Sequence, residues 1–382
     1  MSLAPTIAAP KAEQEPVNHY RRILANEWNQ GHPLSANLEL TFRCNLKCDF
    51  CYNVDDASSR EMTTPQILET VGKLSDLGIL YCALTGGEPM VHPDFWAIAR
   101  EVRRQKMALR VYTNGCYIDA AAADLLAGEV RALEAEISIH GSTPDVHDRL
   151  TGLSGSLEKA LRGVRLLRER GVRVVMKTPI TRLNQHQVWD MYRMGQDLGA
   201  VVTFDPVITP RDDGDAEPLR MQATPEFLVK FWSEEWKELR GGYSATPVDH
   251  TLVRANCGTG RTTVAIDPYG NIYPCIQWRR KAGNVLEVGE LAQLWRTSPV
   301  LHEVRRLSLE LPGKLLKGCE SGEFCTFCPG VAEVQTGDPM NIYPQAVANA
   351  RAKSLAYRQR ASPGTEGIQE LSKRQDGEGD KA

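Results

Sequence analysis

Eight of the ten cysteines fall into two groups. The first is Cys44-x3-Cys48-x2-Cys51, and the second gathers Cys257, Cys275, Cys319, Cys325 and Cys328. Thiols clustered this tightly in a long chain without an export signal point to metal rather than to disulfides. Three thiolates on one loop can hold three irons of a cubane [4Fe–4S] cluster, leaving the fourth iron open. A structural zinc site would instead close four ligands with paired CxxC units. Unligated core thiols fit poorly among the polar Arg43, Asn45, Lys47 and Asp49. Cys82, in an apolar run, reads as core, and Cys116, after Asn114-Gly115, as core or loop filler. His92, His140 and His147 lack ligand spacing.

The elements that must position the first group repeat with some regularity. Apolar runs at Asn37–Phe42, Ile79–Leu84, Leu109–Tyr112, Ala135–Ile139, Val172–Lys177 and Val201–Phe204 read as strands. Helical periods follow at Thr64–Leu77, Asp94–Gln105, Ala120–Leu126, Leu157–Arg170, Gln185–Leu198 and Pro225–Leu239. Gly78, Gly171 and Gly199 stand where left-handed helix caps are wanted. Six βα units predict an α/β fold with a parallel sheet and right-handed crossovers. They are too few for a closed eight-stranded barrel, so an open or partial one is expected, with ligands at the C-terminal strand ends. Cys44, Cys48 and Cys51 follow the first strand directly. Gly86-Gly87-Glu88-Pro89 ends the second; its glycines let a backbone approach a ligand closely, and Glu88 can answer an ammonium group.

With those two segments, the chain resembles the radical S-adenosylmethionine (SAM) superfamily. Cys44-Asn45-Leu46-Lys47-Cys48-Asp49-Phe50-Cys51 is similar to its CxxxCxφC signature, and Gly86–Pro89 to its GGEP motif. The resemblance implies a partial (βα)6 barrel in which the open iron chelates the amino and carboxylate groups of SAM. One electron then splits the sulfonium, and a 5′-deoxyadenosyl radical takes hydrogen from substrate. It also implies roles by position: Cys44, Cys48 and Cys51 for the cluster, Gly86, Gly87, Glu88 and Pro89 for the methionine end. Phe50 and Tyr52 would lie by the adenine and Ser138 by the ribose. Asn114 and Lys177 sit on the same rim, where ligand contact and plain capping of strand ends are equally open.

After Gly241 the pattern changes. Val264–Ile266, Asp267-Pro268-Tyr269-Gly270 and Asn271–Tyr273 read as a hairpin with a type I turn. Helices are expected at Leu291–Thr297 and Val300–Leu309. Cys257-x12-Gly270-x4-Cys275 resembles the auxiliary-cluster domains called twitch and SPASM, closer to the twitch type. The resemblance implies one auxiliary [4Fe–4S] cluster on Cys257, Cys275, Cys325 and Cys328, with Cys319 spare or replacing one of the last pair. Four thiolates would saturate that cluster; three would leave an iron for substrate. The expected division is an N-terminal extension (1–35), the barrel (36–240), a small Cys-rich α+β domain (241–345) and a charged, disordered tail (346–382). Trp232 and Trp236, with Leu228, Phe231 and Leu239, read as a packing stripe.

A net charge of −3 over 382 residues gives no electrostatic case for nucleic-acid binding. No run approaches the ~18 apolar residues of a membrane span, and the start lacks a signal peptide's basic region, so a cytoplasmic protein is expected. Ser138–Asp148 and Thr336–Pro339 look similar to enzymes that modify precursor peptides, in which a side-chain radical forms a crosslink. In those enzymes an electron usually returns to the auxiliary cluster. The partners expected are therefore a precursor peptide and an electron donor such as flavodoxin or ferredoxin, with peptide capture left either to a separate docking protein or to the cavity itself. Small-molecule dehydrogenases and decarboxylases of haem, cofactor or aminoglycoside biosynthesis share the architecture. From another class, a metal-stabilised electron carrier or binding module is the rival. No catalytic acid or base is identified.

Overall fold

One nine-stranded sheet organises the chain in the computed structural model, which describes residues 19–54, 60–240, 246–247 and 257–361. Its first six strands are β1 (Ser35–Thr41), β2 (Tyr81–Gly86), β3 (Ala108–Thr113), β4 (Glu134–Ser138), β5 (Arg173–Pro179) and β6 (Val201–Asp205). They are parallel and lie side by side in chain order, as expected of an open barrel. Alternation along each strand divides the two faces. Leu38, Leu84, Val111, Ile137 and Met176 meet helix residues such as Ile67, Ile98 and Val164 in one apolar core. Glu39, Arg110, Tyr112, Glu134, Glu136, Ser138, Lys177 and Asp205, at the alternate positions, occupy the concave inner face. Gly78, Gly171 and Gly199 have φ of +91°, +75° and +64°, which confirms them as left-handed caps.

The expected helix over 225–239 breaks at Ser233. Helix Pro225–Trp232 ends there in extended backbone, and a 3₁₀ turn resumes over Glu234–Arg240. The Arg240 guanidinium donates to the carbonyls of Phe231 and Ser233 and holds the bend. Trp236 then folds back to within 5.7 Å of Phe227 and of Trp189, so the packing stripe survives across two elements.

The hairpin forms as expected, but on the free edge of β1. β7 (Thr263–Ile266) pairs with β1 in parallel, from Ser35↔Thr263 to Leu38↔Ile266. β8 (Asn271–Tyr273) returns antiparallel, and β9 (Gly283–Asn284) follows. An unpaired edge of β1 would leave its peptide groups unsatisfied, so the sheet continues instead. Val264, Ile266, Ile272, Leu291, Trp295 and Leu301 belong to the barrel's own core.

The disordered tail needs correction. Residues 344–361 form a helix. Its Ala346 and Ala350 pack with Phe324 and Tyr343, and its Ala352 with Phe227 and Leu228. Small alanines pack closely between neighbours without forming the large apolar stripe that sequence patterning detects. A helix also spans Pro329–Thr336, and the one begun near 300 extends to Gly318. The sequence expectations for residues 1–18 and 362–382 lie outside the described residues.

Candidate active site

The Cys44–Cys51 loop leaves β1 at the C-terminal rim and is held from several sides. From β2, Gly87 N–H donates to Thr41 O at 2.8 Å and Glu88 N–H to Arg43 O at 3.0 Å. From the other side, Lys47 and Asp49 N–H donate to the carbonyls of Thr151 and Leu150, at the end of helix Pro144–Thr151. Glu61 receives the Thr41 hydroxyl at 2.6 Å and the Phe42 N–H at 3.0 Å. Asn53 Nδ2 donates to Gly86 O at 3.0 Å.

Within this frame the three thiols share one loop. Burial pushes the Cys48 thiol above its ordinary range, and Cys51 and Cys44 add to the rise. Burial likewise raises Cys44 and Cys51. Such a set strongly resists ionising alone, whereas a bound cation deprotonates a coordinating thiol outright.

Gly86 and Gly87 are required by space. A Cβ on Gly86 would stand 2.3 Å from Thr41 O, and one on Gly87 2.4 Å from Phe42 O. Glu88 behaves differently from the expectation that its side chain meets an ammonium group. Its carboxylate is wholly buried and committed within the protein. One oxygen accepts from Met90 N–H (3.0 Å) and Thr113 Oγ1 (2.8 Å), the other from Asn114 N–H (2.7 Å). Burial pushes its pKa up to about 7 against these donors. Glu88 thus ties β2 to β3.

Asn114 Nδ2 donates to Asn45 Oδ1 at 2.8 Å, joining β3 to the cysteine loop. Lys177 meets Glu136 at 3.2 Å and lies over the Tyr112 ring. Ser138 is half-buried at the end of β4. Phe50 sets its ring edge against buried His140 at 4.9 Å, and the Tyr52 carbonyl accepts the Asp212 N–H. Pro89 begins the 3₁₀ turn after β2. Cys116 is half-buried near this loop, and Cys82 is fully buried core, as expected.

The sequence reading gave His140 and His147 no metal role and did not single out Asn184. His140 stacks on His147 at 5.5 Å, and its Nδ1 is buried with no partner among the described residues. Burial holds both rings neutral, His147 at about 4 and His140 well below its usual range. Asn184, fully buried after β5, donates to His140 O and Pro179 O and accepts the Thr181 N–H, fixing two strand ends together. Asn184 carries no motif; only its contacts reveal it.

In the second group, Cys328 is pushed up to about 12 by burial, with Cys275 and Cys257 adding to the rise. Cys325 is also pushed up to about 12, and there the neighbouring thiol is Cys319. Cys328 also shares one apolar cluster with Cys319 and Cys325. Tyr343 Oη receives the Cys328 N–H at 3.4 Å.

An open parallel barrel with a three-thiol loop after β1 and a glycine cradle after β2 defines the radical SAM class, and comparison with known proteins agrees. The Radical SAM superfamily model matches residues 38–195, and that of SPASM, an iron–sulfur cluster-binding domain, matches 257–329. The chain carries a radical SAM domain over residues 38–195 and a SPASM domain over 257–329. Mycofactocin maturase MftC of Mycobacterium ulcerans is 28% identical over 286 residues, covering 72% of this chain and 77% of that protein. AdoMet-dependent heme synthase of Methanosarcina barkeri is 25% identical, covering 81% and 95%. The crystal structure of Streptococcus suis SuiB bound to S-adenosylmethionine superposes with a TM-score of 0.61 at 17% identity, covering 86% of this chain and 81% of that one.

The family's cofactors are [4Fe–4S] clusters and SAM; the two groups of free cysteines have the donor chemistry for such clusters, although among the described residues no three Cys, His, Asp or Glu side chains are gathered as a metal site. Cys44, Cys48 and Cys51 would hold the SAM-binding cluster. Asn53 Oδ1 and His140 Nδ1 are buried polar atoms still lacking partners there. Once bound, the cluster supplies an electron and an open iron. The chain is an enzyme, and no helix among the described residues is long and apolar enough to cross a membrane.

Proposed function

We propose that this radical SAM enzyme oxidatively modifies a precursor peptide, by crosslinking or a related reaction. The inner face carries the proposal. Among the described residues, its cations are already matched by carboxylates: Arg110 and Arg173 by Glu134, Lys177 by Glu136, and Arg279 by Glu39 and Asp212. A balanced polar wall suits a peptide. A tetrapyrrole bearing several carboxylates would need unpaired cations, and desolvating it against Glu134, Glu136 and Asp205 is unfavourable. MftC, a maturase by name, supports the same branch.

The heme synthase likeness, which covers 95% of that relative, sustains one rival: a carboxylated tetrapyrrole substrate. The test is anaerobic turnover with candidate peptides and with such a tetrapyrrole. The peptide reading expects accelerated 5′-deoxyadenosine release and loss of two hydrogens from the peptide. Acceleration by the tetrapyrrole alone refutes it.

In this reading SAM lies along the rim from Gly86, Gly87 and Pro89 to Phe50, Tyr52 and Ser138, with Asn114 and Lys177 beside it. The auxiliary cluster is held by Cys257, Cys275 and Cys328, its fourth thiolate drawn from the Cys319–Cys325 pair with Cys325 preferred. Reducing equivalents come from a flavodoxin or ferredoxin, a separate protein docks the peptide, and the enzyme works in the cytoplasm.

A further inference from the structure

Beyond β8 the chain carrying Cys275 leaves the sheet, since the last β7–β8 pairing is Ala265↔Tyr273. Residues 278–280 then hold it on two sides. The Trp278 indole and the Arg280 guanidinium both donate to Glu333, on the helix that starts after Cys328. Arg279 turns the other way. Its guanidinium forks onto Glu39 of β1, with Nη1–Oε2 at 2.6 Å and Nη2–Oε1 at 2.9 Å. Its Nε donates to Asp212 Oδ2 at 3.1 Å. Asp212 in turn gives its N–H to the carbonyl of Tyr52, next to Cys51, at 2.9 Å.

These bonds lie in a buried place. Glu39 has no exposure and the Arg279 side chain 12%. Removing Arg279 would leave the buried Glu39 carboxylate unpaired. The ring of Tyr273, two residues before Cys275, lies under the guanidinium at 5.2 Å. Only a planar fork can serve Glu39 with two bonds and Asp212 with a third; an ammonium group cannot reproduce that geometry.

We propose that Arg279 is a positioning residue that fixes the Cys275 loop against the Cys44–Cys51 loop, and so sets the spacing of the two clusters those loops hold. Its role rests on the family's two cluster sites and not on which substrate is used. Its hydrogen bonds go to Glu39 and Asp212 and not to a cysteine, so it acts through the loops it ties.

The test uses the full chain, anaerobically reconstituted and reduced with dithionite, as wild type, Arg279→Lys and Arg279→Met. Pulsed electron paramagnetic resonance reads the dipolar interaction between clusters, and hydrogen exchange reads residues 206–217 and 275–282. Arg279→Lys is expected to keep its iron and sulfide yet lose the resolved dipolar splitting, while both segments exchange faster. Unchanged splitting and exchange in Arg279→Lys and Arg279→Met overturn the proposal. Should Arg279→Met fail to fold, Asp212→Asn, which spares the buried fork, takes its place with the same criteria. Should the wild type hold a single cluster, the exchange measurement decides alone, and the auxiliary-site reading fails separately.

Discussion

Gly87→Ala adds one methyl group where the protein has no room for it. The new Cβ would stand 2.4 Å from Phe42 O, 2.6 Å from Arg43 O and 2.8 Å from Phe42 C, where ordinary contact begins at 3.4 Å. All three are main-chain atoms and cannot rotate away. Residues 42–43, immediately before Cys44, must therefore move by about 1 Å, the difference between 3.4 and 2.4 Å, or Gly87 must retreat. Either movement strains the Gly87–Thr41 and Glu88–Arg43 hydrogen bonds. Overpacking and weakened hydrogen bonds together cost about 2–4 kcal/mol. A misplacement of about 1 Å at a reacting centre costs on the order of 100-fold in rate. The assay is 5′-deoxyadenosine release from SAM under dithionite, normalised to iron, with SAM affinity measured separately. Gly72→Ala is the control: it lies in helix Thr64–Asp76 with nothing within 4 Å of the added Cβ. It should gain about 0.5–1 kcal/mol of stability and leave SAM cleavage unchanged. Wild-type affinity and rate in Gly87→Ala would refute the claim that this cradle positions the cysteine loop.

Other perturbations have equally definite outcomes. Because the Glu88 pKa is raised from 4.5 to about 7, the folded state binds this proton more tightly. Its contribution is greatest at low pH and is lost as pH rises through about 7, at most about 3 kcal/mol. Glu88→Gln should flatten that part of the thermal-stability profile between pH 5 and 8, and an unchanged slope contradicts the assignment. Asn184→Ala removes three buried hydrogen bonds and should lower stability by about 2–4 kcal/mol, read as a fall in Tm; a shift within error would show those bonds to be incidental. Cys48→Ser and Cys328→Ser should each drop iron from roughly eight to roughly four per chain. Only Cys48→Ser should abolish SAM cleavage.

The barrel was legible because its signals are local. Alternating apolar residues set the strands, and glycine caps such as Gly78 and Gly171 ended the helices where expected. The cysteine loop was legible because Cys44, Cys48 and Cys51 lie close together in sequence. Contacts across the fold were not. Nothing near Glu88 in sequence indicates that Thr113 and Asn114 will occupy its carboxylate. Arg279 and Glu39 are 240 positions apart and carry no motif. The sequence reading treated residues 241–345 as a separate small domain, since the β1 edge that receives β7 is invisible in local patterning. Helix 344–361 was missed because alanine packs closely without marking a stripe.

The most direct measurement is the electron paramagnetic resonance spectrum of the reduced wild type, recorded with and without SAM. A cluster held by Cys44, Cys48 and Cys51 alone keeps one iron open, so SAM should shift its g-values, and Cys257, Cys275 and Cys328 variants should retain the shift. A spectrum indifferent to SAM, from protein with full iron content, would contradict the account.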